Sequence, residues 1–199
     1  MTDVLSRRER KKEETRHRIF HAAVDLFREK GFEQTTVDDI TEKADVAKGT
    51  FFNYFHRKDA VLGFLSETRL LDVEENAGAL LTEDRPAREK LADLYSTAAT
   101  AYEEDHDLGR YVLIELMSRA FLPTEGVAMR WLELMVRFIR QGQENGEIRR
   151  DLDPARVEIV LTSVYYGTIY QWVCCPVGSF PVQEELRARL ALVMEGMTS

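Results

Sequence analysis

Apolar residues recur along this chain at three- and four-residue steps, the period of an α-helix that buries one face. Ile19, Ala23, Leu26 and Phe27 share a face over residues 15–30. Gly31 stands where such a helix ends, and Phe32 can fold back over its last turn. Val37, Ile40 and Ala44 then mark a short helix, with Thr36 and Asp39 spaced as a capping box at its start. Asp45-Val46-Ala47 must turn the chain, and Asp tolerates the left-handed backbone that tight turns use. A further short helix holds Phe51 and Phe55 four apart on its inner face. Lys48, Gly49, Phe52 and Asn53 are left on its outer face, with Thr50 and Tyr54 on the flank.

A long helix follows from about Asp59 to Leu81, reaching from the first part of the chain into the second. Pro86 suits the start of the next helix, whose stripe is Leu91, Leu94, Tyr95, Ala98 and Tyr102. Gly109 marks a break, residues 110–122 form a short helix, and Pro123 restarts the chain. The helix that ends at Asn145-Gly146 carries Trp131, Leu132, Met135, Phe138 and Ile139 on one face. Asp153-Pro154 is an N-cap followed by a first-turn proline, so another helix opens there. It must stop by Cys175, because Pro176 disfavours helix at the residue before it. The last helix bears Leu186, Leu190, Val193, Met194 and Met197. Strand-like alternation and internal repeats are absent from the pattern. The expectation is an all-α chain of about nine helices, with residues 1–58 as one domain and 59–199 as a second.

Composition changes this picture little, and charge changes it more. At 199 residues, 44% hydrophobic and 31% charged, the chain can bury a core and is not of disordered type. The N-terminus carries no signal pattern, and no apolar run is long enough to cross a bilayer. The expected location is therefore the cytoplasm, with no membrane partner. A net charge of −8 at first argues against nucleic acid. Residues 1–60, however, carry a net of +1 and the remainder −9, and Arg7 to Arg18 hold seven basic residues against three acidic. An acidic body behind a locally basic end would orient the chain on DNA. Residues 1–14 read as a polar arm able to run into the first helix and reach phosphate or the minor groove.

Candidate chemistry is otherwise sparse. Cys174 and Cys175 are adjacent, which closes no useful loop and offers no metal pair. His17, His21 and Asp25 at four-residue spacing read as an exposed polar face, and residues 103–107 as a solvated acidic corner. No nucleophile elbow, phosphate-binding loop, zinc-binding His-Glu-x-x-His or paired catalytic acid is present, so neither an enzyme nor a cofactor is expected.

The stretch from 15 to 59 is more specific. It resembles the DNA-binding domain of the TetR family of bacterial transcriptional regulators. The resemblance rests on Ile19, Ala22, Ala23, Leu26, Phe27 and Glu29-Lys30-Gly31-Phe32. It continues through Thr35-Thr36-Val37, Ile40, Ala44, Lys48-Gly49-Thr50-Phe51, Tyr54-Phe55 and Lys58-Asp59. Phe52, Ala47 and Asp45 depart from the family's usual Tyr, Ser and Gly at those places. The resemblance implies a dimer whose recognition helices enter successive major grooves of a palindromic operator, about 34–36 Å apart. Lys48, Thr50 and Asn53 are the candidates to read base edges, with Gly49 allowing close approach and Phe52 touching a thymine methyl. Thr36, Tyr54 and Lys58 would position the phosphate backbone.

The same resemblance implies a small-molecule effector held among the middle helices of the second domain. Tyr111, Glu115, Arg119, Trp131, Met135, Phe138, Tyr166 and Tyr170 are the candidate ligand residues, and they suit a mainly hydrophobic or aromatic molecule. The helices near 155–174 and 183–197 carry more apolar surface than one neighbour needs. Val160, Val164, Gly167, Leu186, Leu190, Val193 and Met197 are their candidate homodimer residues. The expected function is a repressor released from DNA by its effector. The alternative is a DNA-bound scaffold answering to a protein partner, which a second domain packed without a cavity would favour.

Overall fold

A computed structural model describes residues 6–103, 106–120 and 126–197, apart from the side chains of 101 and 118–120. Among these residues every regular element is helical. In chain order they are α1 (Arg7–Lys30), α2 (Val37–Lys43), α3 (Lys48–Tyr54), α4 (Ala60–Thr82), α5 (Ala87–Glu103), α6 (His106–Ala120), α7 (Gly126–Glu144), α8 (Pro154–Cys174) and α9 (Val182–Glu195). None is long and apolar enough to cross a membrane.

The chain divides into two compact units, Met1–Leu65 and Ser66–Ser199. The border falls inside α4, a little beyond the expected 58/59 boundary. Packing explains the difference. Phe64 sits edge-on to Phe20 at 5.0 Å and 5.9 Å from Phe55, and the Arg16 guanidinium lies 4.0 Å above its ring. The first turns of α4 therefore belong to the core of the N-terminal unit.

In that unit α1 begins eight residues before the apolar stripe requires. Ser6 caps it: the Glu9 amide donates to the Ser6 hydroxyl, and the Ser6 amide to the Glu9 carboxylate at 2.8 Å. Arg, Lys and Glu are good helix formers, so a capped start extends the helix with nothing to bury. The chain from Arg7 onward is thus helix rather than arm. Ile19, Ala23 and Phe27 of α1 turn inward, as do Ile40, Phe51 and Phe55, and all are nearly inaccessible to solvent.

In the second unit α8 packs against α6, α7 and α9, and α5 against α6, α7 and α9. Leu91, Leu94, Tyr95, Leu113, Met135, Phe138, Ile139, Leu161 and Ile169 form its core. At Gly142 a Cβ would come within 2.8 Å of Ala87 Cβ and Ile148 Cδ1, so only glycine admits this crossing of α5 and α7. Asp153 accepts the amides of Ala155 and Arg156 and starts α8.

Candidate functional site

The first site is built around α3. Thr36 caps α2, accepting the Asp39 amide at 3.1 Å, while its own amide and hydroxyl donate to the Asp39 carboxylate. Lys30 reaches the same carboxylate at 2.7 Å. Its hydrogen bond and those of Thr36 hold the Asp39 carboxyl well below the usual carboxylate range. Asp45 turns the chain at φ 49°, the left-handed region its short side chain tolerates. Ala47 starts α3 with no side-chain cap. Phe51 and Phe55 anchor the helix in the core, and the Phe52 ring stands edge-on to Phe51 at 5.4 Å.

The opposite face of α3 is open. Lys48, Gly49 and Asn53 are exposed, Phe52 is 47% accessible, and Thr50 and Tyr54 are half-buried. Among the described residues none approaches within 4 Å of the position of a Cβ on Gly49. Lys48 pairs at the surface with Asp38 at 2.7 Å, a contact water largely screens.

Two of the expected backbone-positioning residues carry other duties. The Thr36 hydroxyl proton goes to Asp39. The Lys58 ammonium donates to the carbonyls of Phe32 (2.6 Å) and Thr35 (3.0 Å) and lies 4.2 Å over the Phe32 ring. Lys58 thus clamps the loop between α1 and α2. On α1, Arg7, Arg8, Arg10, Lys11, Lys12 and Arg18 are exposed, whereas Arg16 lies against aromatic rings.

The second site is a cavity of about 90 Å³ in the C-terminal unit, walled by α4 to α8. Leu70 and Val73 of α4, Ala98 and Tyr102 of α5, and Val112 and Leu116 of α6 form one side. Val127, Ala128, Trp131 and Leu132 of α7 and Ile159, Tyr165 and Tyr166 of α8 form the other. The polar lining is Ser66, Arg69, Glu158 and Thr162. Burial pushes the hydroxyls of Tyr165 and Tyr166 well up and that of Tyr102 up to about 12, so all three stay neutral donors. The Thr162 hydroxyl donates to Glu158 Oε1 at 2.6 Å, receives the Trp131 indole N–H at 3.1 Å, and lies 3.1 Å from the Tyr95 hydroxyl. Burial pushes the Glu158 carboxyl up, and the hydrogen bonds from Thr162 and Trp131 oppose it.

Of the ligand residues expected from sequence, Trp131 and Tyr166 line this cavity. Met135 and Phe138 do not: further along α7, both are wholly enclosed in the core. Tyr111 and Glu115 are half-buried on α6 outside the lining, and Tyr170 is 54% exposed on α8. The Arg119 side chain lies outside the described residues. Sequence reasoning missed Arg69, Glu158 and Thr162. A signal existed for Glu158, because this acid shares helical spacing with Leu161, Thr162 and Tyr165 on an otherwise apolar stripe.

The candidate dimer residues divide in the same way. Leu186 and Leu190 are fully buried within their own unit, Val164, Val193 and Met197 are half-buried, and Val160 and Gly167 are exposed. Ile159, Tyr170 and Leu192 add exposed apolar surface on α8 and α9.

Comparison with known proteins places this geometry. Residues 19–63 match the family model described as bacterial regulatory proteins, tetR family. The HTH-type transcriptional regulator YdeS of Bacillus subtilis is 31% identical over 173 residues, 83% of this chain and 82% of that one. The fatty acid metabolism regulator protein of the same species is 27% identical over 158 residues, 78% of this chain and 81% of that one. Among solved structures, Thermus thermophilus FadR, a TetR family transcriptional repressor in complex with lauroyl-CoA, superposes with a TM-score of 0.73. It is 30% identical, and the match covers 92% of this chain and 95% of that one.

Proposed function

Because this chain belongs to the TetR family of bacterial transcriptional regulators, we propose that it is a dimeric, sequence-specific repressor released from its operator by a largely hydrophobic small molecule. The exposed face of α3 carries the DNA-binding half of this reading. Lys48, Gly49, Phe52 and Asn53 point to solvent on a helix whose other face is locked in the core, so they are free to meet a major groove. Lys48, Thr50 and Asn53 read bases, and Tyr54 and the exposed basic residues of α1 meet phosphate.

The cavity supports the effector half, and its presence argues against a scaffold answering only to a protein partner. Its alkyl and aromatic lining suits an acyl chain or an aromatic body. Since the T. thermophilus relative holds lauroyl-CoA, long-chain acyl thioesters are the first class to test. A ligand entering against Leu70 and Val73 bears on α4, whose first turns belong to the DNA-reading unit. Such a regulator works beside the chromosome, in the cytoplasm, and needs neither cofactor nor catalysis.

The test is selection of operator DNA from the chain's own upstream region, followed by gel-shift titration with lauroyl-CoA. Specific binding to an inverted repeat, relieved by the thioester, is expected. Binding without sequence preference would overturn the assignment of α3. Specific binding that no acyl thioester or aromatic acid relieves would overturn the effector class.

A further inference from the structure

Glu158 is an acid only 4% exposed, set in the wall of an apolar cavity, and its hydrogen-bond partners can be counted. A hydroxyl has one proton and two lone pairs. The Thr162 proton goes to Glu158, and one lone pair accepts the Trp131 N–H. Tyr95 must then donate to the remaining lone pair. Thr162 is saturated and has nothing to offer a ligand, and the only N–H of the Trp131 indole is spent. A carboxyl offers about four acceptor positions, and the Thr162 hydroxyl and a shared Trp131 N–H occupy two of them at most. Within this cluster the capacity to hold a ligand's polar group therefore resides in Glu158.

Charge narrows the choice of group. A purely hydrocarbon ligand would strip water from the carboxyl and return no hydrogen bond. An ammonium drawn to Glu158 would also face the charge of Arg69, which lines the same cavity, and a carboxylate drawn to Arg69 would face Glu158. A neutral hydroxyl escapes both conflicts. It donates to an ionised carboxyl and accepts from a protonated one, so it pairs with Glu158 in either state.

We propose that the cavity selects an effector bearing a hydroxyl on an otherwise hydrophobic body, with that hydroxyl seated on Glu158. The proposal rests on the cavity being the effector site. It adds a preference within that reading: of two ligands with the same hydrophobic body, the one bearing a hydroxyl is held more tightly.

The test uses two isomeric probes, n-octanol and heptyl methyl ether, which have the same heavy atoms but differ in the donor proton. Binding to the full-length protein is read from Trp131 emission in a Trp172→Phe background, which leaves one indole. The alcohol is expected to bind about tenfold more tightly than the ether. Glu158→Leu should bring the ratio close to one, and Glu158→Gln should retain a preference, because its amide also pairs with a hydroxyl. Equal affinities in the Trp172→Phe protein, or a preference that survives in Glu158→Leu, would overturn the proposal. If Glu158→Leu does not fold, the alcohol-to-ether ratio in the Trp172→Phe protein decides alone. If neither probe alters Trp131 emission nor competes with lauroyl-CoA while lauroyl-CoA still relieves operator binding, the hydroxyl proposal is overturned and the effector reading stands.

Discussion

Two of the three protons on the Lys58 ammonium go to backbone carbonyls of the loop it clamps, and its charge lies over Phe32. Lys58→Ala is expected to destabilise the N-terminal unit by about 1–3 kcal/mol, since two part-buried carbonyls lose a charged donor. Urea denaturation checks it, because a lysine that only touched phosphate would leave the midpoint unmoved. Asn53, exposed on α3, behaves differently. Asn53→Ala should leave stability unchanged, weaken operator binding by roughly 1–3 kcal/mol and relax one base position in each half-site. An equal loss on operator and random DNA would remove Asn53 from base reading. Glu158 adds a pH dependence. Its folded pKa is raised, so ionisation disfavours the folded state, and stability is lost as pH rises from the ordinary 4.5 through the raised value. Glu158→Gln should therefore melt higher than the parent at neutral pH, and the advantage should vanish below pH 4.5. A constant difference across that range would show that burial of the charge is not the cause.

At the scale of elements, caps set the boundaries and side-chain volumes set the crossings. Ser6-x-x-Glu9 starts α1 and Thr36-x-x-Asp39 starts α2, each by the same reciprocal pairing. The second is visible beside an apolar stripe. The first precedes a run of charges with no periodicity, and so hydrophobic pattern alone began the helix at residue 15. Asp153→Ala removes the acceptor for two α8 amides and should cost about 1 kcal/mol in equilibrium denaturation. Gly142→Ala tests the α5–α7 crossing. Its new methyl collides with Ala87 and Ile148, so a loss of roughly 1–3 kcal/mol is expected although alanine is the better helix former. A stabilised variant would mean that the two helices part at little cost.

For the whole molecule, the decisive questions are assembly and charge. The exposed apolar residues of α8, Ile159, Val160 and Tyr170, are the places to test a homodimer. Val160→Asp, 44% exposed in the single chain, should give monomers by light scattering and abolish operator binding with the fold intact. A dimeric Val160→Asp would move the interface elsewhere. Leu190 is the wrong probe, because a charge there breaks the core before it can report on assembly. The charge division, +1 over residues 1–60 against −9 beyond, confines DNA affinity to one end. Binding should therefore fall steeply as salt rises, since each phosphate contact releases counterions.

Helix content and order, the helix-turn-helix and the caps of α2 and α8 were readable from sequence alone because each depends on residues a few positions apart. A 3.6-residue stripe, a Thr-x-x-Asp pair and an Asp before a proline act within one turn of chain. The family resemblance was readable for the same reason, being carried by a contiguous stretch. Tertiary structure decided what each buried face meets. The stripe of Trp131, Met135 and Phe138 is continuous in sequence, yet only Trp131 borders the cavity, and the other two are sealed against neighbouring helices. Leu186 and Leu190 look like surplus apolar surface until their own unit closes over them. Glu158, Thr162, Tyr95 and Trp131 come from three helices, and their hydrogen bonds span as many as 67 residues. Periodicity states that a side chain turns inward. Which groups it finds there is settled only when separate helices pack, because that depends on distances between segments that no local pattern encodes.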